Sequence, residues 1–582
     1  MDESRRRFLS LLSGLGLGGT VFPGALLAEA KGGKVTKEQI ARAEELAGLH
    51  FDDTQREMMS ELLDDSLEQL AKLREVTLEN RVAPALVFDP LPPGAQLPKA
   101  RPRRALARRP APSLPGSKEE IAFLPAARLG ELVRAGKISS VELTRLYLER
   151  LESADKRLAC VVTLTDERAL RQAKAADEEI ARGKWRGPLH GVPWGAKDLL
   201  AVKGHPTTWG AGGYQRQIID EDATVVRRLD QAGAVLIAKL TLGELAMGDH
   251  WFGGVTKNPW NFEEGSSGSS AGPAAATAAG LVGFSIGSET LGSISSPSTR
   301  CGATGLRPTF GRIPRTGAMA LSFSMDKLGP ICRTAEDCAL VFDAVKGPDG
   351  RDASVREAPF SFDPQLDPRS LSVGYLRKAF EESVLPAQGE KPAQHEWKDF
   401  DDAALAVLEQ MGIKLHPVEL PDIPWQSLRP ILVAEAAATF DELTRSGRDR
   451  ELVQQGKDNW PNIFRAARFI TAVDYLNANR VRAVAIARWQ EMMKGLDVLV
   501  APTRGSGQLL ASNLTGAPAV IVPNGFQERE SRIEDAGPSS LKHRVPVSLT
   551  FIGAHFGEDR LLAMAHAYQK VTRFHLEHPS LQ

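Results

Sequence analysis

Cysteine is scarce in this chain: 582 residues hold only four, Cys160, Cys301, Cys332 and Cys338. Their spacing matches no zinc-binding pattern, and four are too few to staple a chain of this length as a disulfide framework. Cys332 and Cys338 lie near enough in sequence to pair in an oxidising compartment. Two separate small core thiols are the preferred reading. Charge of one sign is lacking too, with Lys+Arg at 72 against Asp+Glu at 73 and a net charge of −1. That balance removes the compositional case for nucleic acid or an anionic membrane surface as a partner. No permanent membrane span is expected, because the apolar stretch 11–27 is broken by Gly14, Gly16, Gly18 and Gly19. Internal repeats are absent. A hydrophobic content of 42% and a charged content of 25% fit an ordinary soluble globular protein. The length exceeds one typical domain, although large α/β enzymes build such lengths around a single sheet.

The amino terminus carries Ser4-Arg5-Arg6-Arg7-Phe8-Leu9-Ser10, the weakly apolar stretch, and then Ala28-Glu29-Ala30, a small-x-small pattern suited to signal peptidase. This order resembles a bacterial twin-arginine export signal over residues 1–30, which implies the twin-arginine export machinery as a partner and a periplasmic destination. A chance basic start followed by a short buried helix is the bland alternative. Residues 31–117 read as a helical extension and a Pro/Arg-rich linker. Ile40, Ala43, Leu46 and Ala47 recur at helical spacing, as do Met58, Leu62, Leu63, Leu67 and Leu70. Pro90, Pro92, Pro93, Pro102 and Pro110, with clustered arginines between them, favour an extended solvated path. The main domain is expected over 118–582. Residues 129–151 are amphipathic, with Leu132, Val133, Leu143, Leu146 and Leu148 as core candidates. From Gly187 onward, strand-like and helix-like runs alternate, the pattern of a layered α/β fold. Helical stretches at 433–444 and 470–493 are expected to wall a substrate cleft.

Two glycine-punctuated serine loops are joined by an alanine-rich run. The first is Gly265-Ser266-Ser267-Gly268-Ser269-Ser270-Ala271-Gly272, and the second is Gly287-Ser288-Glu289-Thr290-Leu291-Gly292-Ser293-Ile294. Upstream lies Gly191-Val192-Pro193-Trp194-Gly195-Ala196-Lys197-Asp198. Two serines and a lysine suffice for acyl transfer without histidine or metal, because a buried neutral lysine can serve as base. Together with Lys257-Asn258-Pro259-Trp260-Asn261, Gly302-Ala303-Thr304-Gly305-Leu306-Arg307-Pro308-Thr309, Asn513-Leu514-Thr515-Gly516-Ala517-Pro518-Ala519 and Val545-Pro546-Val547, the last two read as closing strands, these pieces resemble the amidase signature family of serine hydrolases over about 119–582.

The resemblance implies an α/β fold with a large mixed central sheet sandwiched by helices, hydrolysis of a small-molecule or peptide amide, and no cofactor or metal. It implies Lys197 as base, Ser269 as bridging serine after a cis peptide, and Ser293 as nucleophile. The backbone N–H groups of Thr290, Leu291, Gly292 and Ser293 would form the oxyanion hole. Met247 and Gly248 are candidate substrate contacts, though a plain core contact is the simpler reading. Without the motif, Lys197 beside Asp198 would read as a solvated surface charge, and the first serine loop as a flexible linker. Pro273 suits the first turn of a helix behind that loop. Glu289 stands where the family often has aspartate, Leu291 where it often has glycine and Ser295 where it often has arginine. This form of the loop looks most like the peptide amidase branch. Rival readings are a glutaminase subunit of an amidotransferase, a non-catalytic binding protein on the same scaffold, and an α/β-hydrolase esterase. The last rests on Gly268-Ser269-Ser270-Ala271-Gly272 as a nucleophile elbow at Ser270. It is set aside because 260–264 makes a poor strand and neither His543 nor His566 sits in a persuasive motif.

Overall fold

The computed structural model describes residues 34–76, 78–98, 110, 112–382, 396–531 and 541–581. The export-signal reading of 1–30 and much of the basic linker lie outside them. The extension begins with two helices, α1 (Lys37–Ala47) and α2 (Asp53–Leu73), each opened by a reciprocal capping box, Thr36 with Gln39 and Asp52 with Gln55. The expected periodicity gives the helices. Their buried seam, however, runs through Ile40, Met59, Leu63 and Leu67, while Leu46, Met58 and Leu62 face solvent.

Eleven strands form one sheet: β1 (Val161–Leu164), β2 (Pro193–Lys197), β3 (Val235–Leu240), β4 (Phe284–Glu289), β5 (Thr304–Arg307), β6 (Lys327–Cys332), β7 (Val373–Leu376), β8 (Leu415–Val418), β9 (Val498–Pro502), β10 (Ala519–Glu530) and β11 (Lys542–Gly553). Their spatial order is β1-β3-β2-β4-β6-β5-β10-β11-β9-β7-β8. The sheet is mixed, since β2 runs parallel to β3 and β4 while β6 runs antiparallel to β4 and β5. Every residue of β2, β3, β4, β6 and β9 is buried. Such strands need cover on both faces, and helices provide it.

The amphipathic run at 129–151 is two helices, Ala126–Arg134 and Ser140–Leu158. They are separated at Gly136, whose φ of +66° breaks the first, and the second restarts from the Ser139 capping box. Its five expected core residues are all buried. Three other expectations need correction. Residues Asn261–Gly265 do form a strand, but it pairs antiparallel with Lys257–Asn258 in a two-stranded ribbon outside the central sheet. Asn513 and Thr515 close a helix, Gln508–Thr515, rather than a strand, and β10 starts only at Ala519. The stretch 433–444 is likewise divided, into Pro430–Thr439 and Asp441–Arg445. All four cysteines are buried free thiols. No helix among the described residues is long and apolar enough to cross a membrane.

Candidate active site

Lys197 ends β2, an interior strand third from one edge of the sheet, and is fully buried. Side chains of adjacent strand residues point to opposite faces, which separates Lys197 from its neighbour Asp198. The Asp198 carboxylate instead pairs with the equally buried Lys239 at 2.6 Å. Lys197 is left with hydroxyls. Its Nζ lies 2.8 Å from Ser269 Oγ, 2.9 Å from Ser288 Oγ and 3.1 Å from Ser270 Oγ. Burial pushes its pKa well below the ordinary 10.5, with Asp326 and Glu289 opposing that fall from a distance. Hydroxyls donate as readily as they accept, so the same contacts suit a neutral amine receiving a proton from Ser269. Lys327 in β6 is another buried lysine with a lowered pKa, but its Nζ donates to the carbonyl of Met325. Geometry, not pKa, separates the two.

The first serine loop leads into α3 (Ala271–Ala278), whose eight residues are all buried. Their small side chains let α3 pack against β2, β3, β4 and β6, and Pro273 sits in its first turn. The Gly268–Ser269 peptide is cis. The second loop follows β4 and enters α4 (Ser295–Cys301). The N–H of Ser270 donates to the carbonyl of Ser293 at 3.0 Å, tying the loops together. Gly292 has φ of +92°, a conformation that favours glycine. Among the described residues, the N–H groups of Thr290, Leu291, Gly292 and Ser293 donate no hydrogen bond. They form a run of free donors beside a serine. The side chains of Ser269 and Ser293 are not hydrogen-bonded to each other. Contacts of that kind often tighten only when substrate is bound.

A carboxylate braces the second loop. Glu289 Oε2 accepts from the N–H groups of Ile294 and Ser295 at 2.9 and 2.8 Å and from Ser295 Oγ at 2.8 Å. Its Oε1 accepts from Arg307 at 2.7 Å and Asn513 at 2.8 Å. Burial alone would raise this carboxyl, but Arg307 and the other donors overcome it and hold the pKa at about 2. Two departures from the family pattern, Glu289 and Ser295, are therefore partners. Thr290 is fixed separately, its Oγ1 donating to Asp326 at 2.6 Å.

Comparison with known proteins gives the lineage. Residues 142–562 match the family model described as Amidase. The chain belongs to the amidase family. It is 32% identical to a glutamyl-tRNA(Gln) amidotransferase component from Moorella thermoacetica, across 79% of this chain and 99% of that one. The solved peptide amidase of Stenotrophomonas maltophilia superposes with a TM-score of 0.63 at 29% identity, covering 77% of this amidase and 97% of the other. A bacterial aryl acylamidase shares the fold, with a TM-score of 0.66 at 22% identity, covering 78% and 97%. The amidase is an amide-hydrolysing enzyme.

In this amidase, Ala246 lines the cavity that meets the second serine loop. Met247 is half-buried and Gly248 exposed. The Gly248 carbonyl packs against Gly268, where a Cβ would lie 1.8 Å from it. His543, named by the elbow reading, faces Glu263 at 3.3 Å. Ser270, the would-be elbow nucleophile, is buried, with its Oγ donating to the Ser288 carbonyl and accepting from the Ser288 N–H, both at 3.1 Å. Sequence reasoning missed Ser288 as a lysine contact, and also the Asp198–Lys239 pair and the anchors Arg307 and Asp326. Alternation within β4 was the available signal for Ser288, two residues from Ile286 on the same face. Among the described residues, no cluster of three His, Cys, Asp or Glu side chains could hold a metal ion.

Proposed function

We propose that this amidase works through Lys197, Ser269 and Ser293, with an acyl-enzyme on Ser293. Neutral Lys197 takes a proton from Ser269 as Ser269 takes one from Ser293. The Ser293 oxygen then attacks the amide carbonyl, and the N–H groups of Thr290 to Ser293 receive the negative oxygen of the tetrahedral intermediate. The proton returns along the same relay to the leaving nitrogen, and water releases the acid. The observation that carries this reading is a fully buried lysine with only serine hydroxyls in reach, at 2.8 to 3.1 Å. The substitution Ser293→Ala tests it. Turnover and acyl-enzyme formation should vanish while the melting temperature stays within about 2 °C, because the change removes a single oxygen. Persistent turnover refutes the nucleophile.

The amino-terminal pattern supports an enzyme exported by the twin-arginine route and acting in the periplasm. A second reading draws on the similarity to glutamyl-tRNA(Gln) amidotransferase components: a glutaminase that works with cytoplasmic companions. Glutamine hydrolysis that appears only when companion subunits co-purify would favour it.

A further inference from the structure

The segment after α2 does not hang free. Asn80 clips to Ala320 in both directions, its Nδ2 donating to the carbonyl at 3.1 Å and its Oδ1 accepting from the N–H at 2.8 Å. Arg81 donates to Glu79 within the same segment at 2.5 Å and faces Glu221 of the body at 3.8 Å. Further on, Phe88 stacks edge-on against Phe310 at 5.0 Å, with the Arg482 guanidinium 3.6 Å from its ring, and Asp89 pairs with Arg356. Residues 78–90 are thus a strap laid across the amidase body, outside the stretch that matches the family.

The strap lies between two cavities. The inner one, about 410 Å³, meets the second serine loop at Ser288 and Thr290 and has Arg81, Ala83 and Pro84 in its wall. Its interior includes Leu199, Met319, Phe323 and Leu328. Besides Arg81, the arginines in its wall are Arg315 and Arg351, already paired with Asp352 at 3.1 Å and Glu221 at 2.8 Å. The outer one, about 890 Å³, is lined by Leu78, Glu79 and Asn80 together with Trp209, Tyr214 and Phe440. Arg81, Glu221 and residues 317–319 belong to both walls.

We infer that residues 78–84 partition one cleft into two chambers, so that the amidase accepts amides with a compact apolar group and refuses extended peptide chains that would need both. An inner chamber of this size suits one small ligand, with Leu199, Met319, Phe323 and Leu328 to receive its apolar group and Ser288, Thr290 and Asp326 on the side of the serine loop. The strap completes a dividing wall whose other part is Glu221 and residues 317–319 of the body. The inference rests on the Ser293 reading above, and it assigns a specificity role to part of the extension.

The test uses the full chain and two phosphonate probes directed at serine, one bearing a small alkyl group and one an extended tripeptide. Labelling rates are compared in the unmodified enzyme, in Asn80→Ala/Arg81→Ala and in Ala83→Trp. Releasing the clip should raise the ratio of peptidyl to alkyl labelling about tenfold or more, the scale on which a pocket wall discriminates. Filling the inner chamber with Ala83→Trp should slow alkyl labelling by a similar factor. If the tryptophan variant does not fold, the clip variant decides alone, through a ratio that a loss of folded enzyme does not change. Label on Ser293 with a ratio unchanged by clip release overturns the partition and leaves the triad standing. Label on a different residue overturns the triad, and the partition with it.

Discussion

A lysine buried in a sheet needs either a counter-ion or a reason to be neutral, and this protein shows both solutions on neighbouring strands. Lys239 keeps a carboxylate at 2.6 Å, whereas Lys197 has only hydroxyls. The ammonium form of Lys197 is therefore the costly one. Activity should rise with pH through an ionisation well below the ordinary lysine value of 10.5, then level off once the amine is neutral. Lys197→Ala should remove this limb and nearly all amide turnover. Asp326 raises the Lys197 pKa, so Asp326→Asn should move the limb towards lower pH. A pH–rate profile of each variant checks this, and a limb that moves upward in Asp326→Asn contradicts the assigned sign. At this scale the sequence was legible because the lysine and both serines sit in motifs. The orientation of Asp198 was not legible, since a Lys-Asp dipeptide reads as surface until its strand is known to be buried on both faces.

The serine loops work as elements only because they interlock with their surroundings. Gly268 lies under the Gly248 carbonyl, and any Cβ there would approach it to 1.8 Å. Both contacting groups are backbone, so neither can swing aside. Gly268→Ala should destabilise the protein by about 1–3 kcal/mol, the usual range for overpacking, and should also lower kcat by displacing Ser269. Urea denaturation and turnover measured together check it, and an unchanged midpoint with full activity would contradict the packing. Helices α1 and α2 were legible from apolar residues at helical spacing, and the structure adds the capping boxes at Thr36 and Asp52 that start them. The ribbon strand Asn261–Gly265 was not, because it is short, rich in acidic residues and held by a hairpin partner rather than by a buried face. The elbow reading accordingly fails for a different reason than its sequence suggests. Ser270 does follow a short strand, but its hydroxyl is committed to Ser288 and Lys197.

Across the whole molecule, the mixed eleven-stranded sheet was foreseen only through family resemblance, since alternation of elements cannot order strands whose neighbours lie far apart in sequence. The strap was not foreseen at all. Its prolines and charges read as a solvated linker, and its docking depends on Asn80, Phe88 and Asp89, single residues without a pattern. The proposed export signal at 1–30 belongs to this scale too. Replacing Arg5 and Arg6 by lysine should leave uncleaved precursor in the cytoplasm, as cell fractionation and the amino-terminal mass would show. Unchanged appearance of a processed periplasmic form would exclude the twin-arginine route. Which oxygen attacks the amide is the central question, and one measurement addresses it directly: peptide mass mapping of the unmodified enzyme after reaction with a phosphonate directed at serine. The predicted adduct lies on Ser293, and an adduct on Ser270 would contradict the mechanism.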